Sequence, residues 1–206
     1  MKMKILPIAM CAVCLLTYGI DMEKIIDKTV EKYENLNSFY AEFQQTLCDE
    51  SSGMCMSYEG KIYYLKPNFF RLEMDDPKQI YVGDSVSLWI YIPSKKKAIR
   101  QSLGEVPFHI NPDMFLKNYK ERFNAELTGE EGDYVYITLT PKKQTEIYNN
   151  IVIKIHKDKF EIAGINVTDA AGQENKFDFE KIEMNKKLSK ELFHFAPPEG
   201  TKIDEY

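Results

Sequence analysis

Histidine is scarce in this chain, basic residues are outnumbered, and long apolar runs are missing beyond the amino terminus. The three histidines, His109, His156 and His194, are scattered. None has a carboxylate or cysteine at the spacing of a metal-ligand set, so each is expected at the surface or in packing, and no metal site is expected. There is no glycine loop of the kind that cradles phosphate, no glycine-flanked nucleophilic serine, and no cysteine and histidine paired in a strand-to-helix context. An enzyme reading therefore has no residue to stand on, and no cofactor is expected. With 27 Lys and Arg against 32 Asp and Glu, the formal net charge is −5. That balance argues against nucleic acid or an anionic membrane surface as a resting partner. No stretch after the first residues approaches the roughly 18 to 20 apolar residues of a transmembrane helix.

What is present begins with a targeting signal. Lys2 and Lys4 precede an apolar run over residues 5–16, followed by Thr17, Tyr18 and Gly19. This is the pattern of a secretory signal peptide over 1–19, which leaves 20–206 as one soluble domain. Loss of the two lysines takes the net charge from −5 to −7. Cys11 and Cys14 lie inside the apolar run, and Met10 and Val13 before them are poor matches to the small residue that precedes an acylated cysteine. The domain keeps Cys48 and Cys55, separated by a segment with Asp49, Ser51, Ser52 and Gly53. In an oxidising compartment these are expected to form a hairpin-closing disulfide; a catalytic pair is the rival reading.

The apolar residues Met22, Ile25, Ile26, Val30, Tyr33 and Leu36 recur at helical spacing after Asp21, a good N-cap. The period then changes to two at Phe39, Ala41 and Phe43. Alternating runs follow at 58–65, 69–74, 80–82, 86–92 and 98–103, broken by prolines and a Gly83-Asp84 pair. Asn111 and Pro112 signal a second short helix carrying Met114, Phe115 and Leu116. Strands are expected again at 123–127, 134–140, 151–156, 160–168 and 175–182. So many strands with so little helix predict a mainly β (α+β) fold, an incomplete, strongly curved antiparallel β-barrel with helices covering its mouth. The lysines at 95–97 and at 142–143 sit at expected turns and read as solvated. The glycosylation-like Asn166-Val167-Thr168 falls within an expected strand and carries little weight.

Large apolar groups occupy alternate strand positions: Tyr58, Ile62 and Tyr64; Phe70, Leu72 and Met74; and then either Leu88 and Ile90 or their neighbours Trp89 and Tyr91. A curved sheet with that inner face either packs solid or encloses a ligand, and an apolar stripe is ordinarily just core.

The segment Gly60-Lys61-Ile62-Tyr63-Tyr64-Leu65-Lys66-Pro67-Asn68-Phe69-Phe70-Arg71 resembles the strand, arginine-proline-asparagine turn and strand of the LolA family. Residues 81–93, with Leu88-Trp89 and Pro93, are similar to the family's next strand, turn and strand. Phe43-Gln44-Gln45, Asp169-Ala170-Ala171-Gly172-Gln173 and residues 193–200 match further segments in family order. The resemblance implies a non-enzymatic, monomeric periplasmic carrier of acylated lipoproteins. Such a carrier takes its cargo from an inner-membrane ABC-type lipoprotein release complex and passes it to an outer-membrane acceptor. A lipid- or lipoprotein-sensing module with the same fold is the alternative. The resemblance also implies an acyl-chain cavity lined by the strand residues above, and a lid helix bearing Met114, Phe115 and Leu116. Where family members use an arginine to bond lid carbonyls, this chain has Lys66, a flexible point donor without a planar fork. The expected lid latch is therefore Lys66 or Arg71.

Overall fold

A computed structural model of the chain describes residues 20–49, 51–103, 115–143 and 148–206. The expected signal segment, His109, Asn111, Pro112 and Met114 lie outside the described residues.

Helix α1 spans Met22–Glu34. Asp21 starts it by accepting from the Lys24 N–H at 3.0 Å, which satisfies one of the amides a helix leaves unpaired at its first turn. Ile25, Ile26, Thr29 and Tyr33 form its buried face, and the one polar aliphatic among them, Thr29, donates its hydroxyl to the Ile25 carbonyl at 2.8 Å. Asn35 ends the helix, its side chain donating back to Glu31 O at 2.9 Å.

The strands are β1 (Ser38–Asp49), β2 (Met54–Leu65), β3 (Phe69–Met74), β4 (Gln79–Asp84), β5 (Ser87–Ile92) and β6 (Lys97–Ser102). A four-residue helix α2 (Tyr119–Arg122) precedes β7 (Phe123–Glu131), β8 (Tyr134–Pro141), β9 (Tyr148–His156), β10 (Ile162–Asp169), β11 (Gln173–Met184) and β12 (Lys202–Glu205). They form one twelve-stranded sheet in the order β12-β6-β5-β4-β3-β2-β1-β11-β10-β9-β8-β7. Two antiparallel meanders, β2 to β6 and β7 to β11, are joined at the centre by the long β1–β11 ladder. Strands β7 and β12 end the sheet without pairing with one another, so the sheet is curved but not closed: an incomplete antiparallel barrel with helices, as the alternation predicts.

Boundaries differ from expectation where local backbone chemistry intervenes. The strand expected from residue 160 begins at Ile162 because Phe160 adopts a left-handed conformation (φ 55°) and closes a turn onto the His156 carbonyl. Within that turn His156 Nδ1 accepts from the Asp158 and Lys159 amides. The short β12 pairs in parallel with β6, the only parallel ladder among the described residues.

The core lies chiefly between α1 and the second meander and extends through Ala41 and Phe43 of β1 to Ile62 and Leu72 of the first. Val135, Ile137, Leu139, Ile151, Ile153, Ile155 and Ile162 are fully buried, packed with Ile26, Phe39, Leu116 and Phe123. Each such side chain contributes roughly 1.5 to 3 kcal/mol on removal from water. Polar ties fix the helix to the sheet. Tyr33 Oη accepts from the Ile162 N–H at 3.1 Å, and Lys32 bridges to Lys159 O and Glu161, both at 2.8 Å.

Candidate functional site

Strand register places the expected cavity residues on faces that periodicity alone leaves open. Ile62, Leu72, Tyr81, Ile90 and Ile99 lie opposite one another across β2 to β6, forming one row on the concave side. A second row runs through Tyr64, Phe70, Gly83 and Leu88. Ile62, Phe70, Leu72 and Leu88 are buried, while Tyr64, Met74, Tyr81, Ile90 and Ile99 are half-buried. Tyr58 shares this face farther out, opposite Gln45. Two glycines make the close approaches work: a Cβ on Gly83 would overlap the Phe70 ring, and one on Gly60 would overlap the Glu73 carbonyl and the Phe43 ring. Burial pushes the Tyr81 phenol above its ordinary range, and its hydroxyl donates to Gln79 Oε1 at 2.8 Å. Tyr81 and Ile99 were not expected here. Each has few large apolar neighbours at alternate positions of its own strand, and only the register shows that they continue the apolar row.

Trp89 and Tyr91 are a correction. Alternation along β5 sends them to the opposite, convex face, where both rings pack on Phe195 at 5.4 Å and Arg100 lies 5.4 Å from the Trp89 ring. Both faces of β5 are apolar because the chain after β11 crosses the convex side of the first meander before ending as β12. Phe193 within that segment is buried and packs on Phe69 at 5.9 Å.

Arg71 is a second correction. It alternates with Phe70 and Leu72, so it too faces the convex side, where Nη1 donates to Leu192 O at 3.2 Å and Nε to Glu73 at 2.6 Å. It fastens the C-terminal segment, not the helix. Lys66, by contrast, reaches α1: its Nζ donates to the carbonyl of Glu34, the last helical residue, at 3.0 Å. That carbonyl belongs to the electronegative end of the helix, where a cation is favoured. The Glu34 carboxylate lies 3.3 Å from the Lys117 ammonium, just after Phe115 and Leu116, which are buried in the same core as α1. Phe115 meets Tyr148 edge to face at 5.6 Å.

Cys48 and Cys55 face each other across the β1–β2 hairpin and are joined by a disulfide, S–S 2.03 Å. Among the described residues no group of histidine, cysteine and carboxylate side chains could hold a metal, and no helix is long and apolar enough to cross a membrane.

Residues 34–196 match the family model described as outer membrane lipoprotein carrier protein LolA. This chain belongs to the LolA family. An outer-membrane lipoprotein carrier protein of Aliivibrio fischeri is 28% identical over 179 residues, covering 85% of this chain and 88% of the relative. One from Nitrosomonas europaea is 27% identical over 207 residues, covering 97% and 98%. In fold, the LolA-family chain is similar to an uncharacterized conserved protein from Thermus thermophilus, with a TM-score of 0.58 at 12% identity over 89% of this chain and 99% of the other.

Proposed function

We propose that residues 20–206 form a single periplasmic carrier domain that shelters the acyl chains of lipoproteins between the inner and outer membranes. The observation that supports this most is the row Ile62, Leu72, Tyr81, Ile90 and Ile99, an apolar band across five strands on the concave side of an open sheet. Each acyl methylene removed from water is worth roughly 0.8 kcal/mol, so a lipoprotein crosses an aqueous compartment only inside such a sleeve. The sleeve must also release its load. With no nucleotide to drive it, closed and open states must lie close in free energy, and cargo shifts the balance by binding the open one. The Lys66 to Glu34 bond suits that requirement, because a single bond from an exposed lysine is easily broken and remade.

In this reading the chain works as a monomer without catalysis. It receives acylated lipoprotein from an inner-membrane ABC-type release complex and hands it to an outer-membrane acceptor. Residues 1–19 serve as the secretory signal. The test is to add purified residues 20–206 to spheroplasts or vesicles containing an active matched release complex and acylated lipoprotein. A soluble one-to-one complex, lost when the acyl chains are absent, is expected. No release, with folded protein and active complex, would overturn the carrier reading.

A further inference from the structure

The concave apolar face does not stop at the barrel. Strand β3 pairs only with Gly60–Leu65 of β2, so the half of β2 before Gly60, together with β1 and β11, projects beyond the first meander. Across this projection one row of the concave face runs through Ile151, Val167, Asn175, Leu47 and Met56. Exposure rises along it: Ile151 is fully buried, Val167 and Leu47 are half-buried, and Met56 is 57% exposed. Met54 follows on the same face at 70% exposure. Tyr58 donates its hydroxyl to the Met56 thioether at 3.4 Å. The disulfide sits on the other face of this hairpin, joining residues adjacent to both Leu47 and Met54, so it holds the register that presents the methionines together.

We propose that Met54 and Met56 form the outer step of the acyl-chain path, over which a hydrocarbon chain of the cargo slides between the donor complex and the concave face. The inference rests on the carrier reading and extends it to a part of the molecule outside the cavity. Three observations select a cargo chain as the occupant. The methionines share the concave face with Leu47 and Val167, with Asn175 the one polar residue in the row and no register break between them. Their unbranched thioether side chains adapt to an irregular, moving apolar partner. The charged neighbours Asp49, Glu59 and Glu174 are acidic and the nearby Lys176 is paired with Asp178 at 2.7 Å, which disfavours docking of this tip on an anionic bilayer.

The test uses residues 20–206 and a lipoprotein whose acyl chain carries a diazirine, irradiated during transfer from vesicles. Mass spectrometry is expected to find adducts on Met54 or Met56, and the M54E/M56E variant is expected to load about tenfold more slowly, the equivalent of about 1.4 kcal/mol. Both side chains are exposed, so the variant keeps its fold, and an unchanged melting curve checks this. If the unaltered protein carries lipoprotein but the variant loads at the same rate, the path is wrong while the carrier reading stands. Adducts arising from diazirine-labelled phospholipid vesicles alone, and never from labelled lipoprotein, would also overturn it in favour of bilayer docking. If the unaltered protein takes up no lipoprotein, both readings fall together.

Discussion

Lys66 ties the turn between β2 and β3 to the end of α1 and to the start of β1: its Nζ donates to the Glu34 carbonyl at 3.0 Å, and its backbone N–H donates to the carbonyl of Asn37, just before β1, at 2.8 Å. The first bond depends on the side chain and the second does not, so substitution separates them. Lys66→Ala is expected to weaken the seating of the helix by roughly 0.5 to 1.5 kcal/mol, the net worth of one such bond, without unfolding the sheet. Lys66→Arg, which can offer a fork to the helix-end carbonyls, is expected to seat it more firmly. Hydrogen exchange at the α1 amides reads both, with faster exchange in the alanine variant and slower in the arginine variant. Equal exchange in all three would show that Lys66 is an ordinary turn residue.

Tyr33 couples the same helix to the other half of the sheet by accepting from the buried Ile162 N–H at 3.1 Å. Tyr33→Phe keeps the ring and removes the acceptor. The expected loss is roughly 1 to 3 kcal/mol, the cost of leaving a buried amide unpaired. Urea unfolding of the two proteins checks this, and a change well below that range would mean that the amide finds another partner.

What could be read from the sequence was local. Asp21 and the spacing of Ile25, Ile26 and Tyr33 define α1 because a cap and a 3.6-residue period are properties of neighbouring residues. The hairpin of β1 and β2 follows from alternation on either side of the turn between Cys48 and Cys55. The facing of β5 was not legible, since Leu88, Trp89, Ile90 and Tyr91 are all apolar. Only Phe195, far along the chain, decides that Trp89 and Tyr91 lie outward. Arg71 is near Lys66 in sequence, yet alternation with Phe70 puts it on the opposite face. The four-residue β12 has too little pattern to be told from a loop, and its position depends on a parallel pairing with β6 that sequence proximity does not suggest.

The disulfide adds a third expectation. Replacing both Cys48 and Cys55 with serine frees a loop of six intervening residues in the unfolded chain, so the loss of stability is expected near the low end for disulfides, roughly 2 to 3 kcal/mol. The effect should appear in thermal unfolding under non-reducing conditions and vanish when both proteins are compared in reductant. A variant as stable as the oxidised parent would show that the hairpin holds its register without the bridge.

Tyr40 provides a pH signature. It sits on the convex side with the Tyr63 ring at 5.0 Å and the Lys186 ammonium 4.3 Å from its own ring centre, and its hydroxyl donates to Glu42 at 3.1 Å. Burial first, and the Glu42 carboxylate second, push its phenol up to about 12 from the ordinary 10.0. A group that holds its proton more tightly when folded stabilises the fold fully below its unfolded pKa, so this contribution is intact below about pH 10 and disappears as the pH rises to about 12. Tyr40→Phe lacks the ionising hydroxyl but keeps the ring beneath Lys186, whose own loss of charge is then common to both proteins. The parent should therefore lose stability more steeply than the variant between those limits, and parallel curves would contradict the assignment.

Ile90 and Tyr91 are adjacent in β5 and point to opposite sides of the sheet, which makes them the sharpest probe of where cargo binds. Ile90→Gln puts a polar group into the concave row between Tyr81 and Ile99, where an acyl chain would have to strip its water, and is expected to lower lipoprotein capture about fivefold to a hundredfold, at roughly 1 to 3 kcal/mol for an uncompensated amide. Tyr91→Gln removes a ring from Phe195 and should loosen the C-terminal segment, seen as faster proteolysis after β11, while capture is retained. Pull-down of acylated lipoprotein by each variant, with limited proteolysis alongside, distinguishes the two faces. The reverse pattern, with capture lost in Tyr91→Gln and kept in Ile90→Gln, would move the binding site to the convex side and require the C-terminal segment to lift away before cargo could enter.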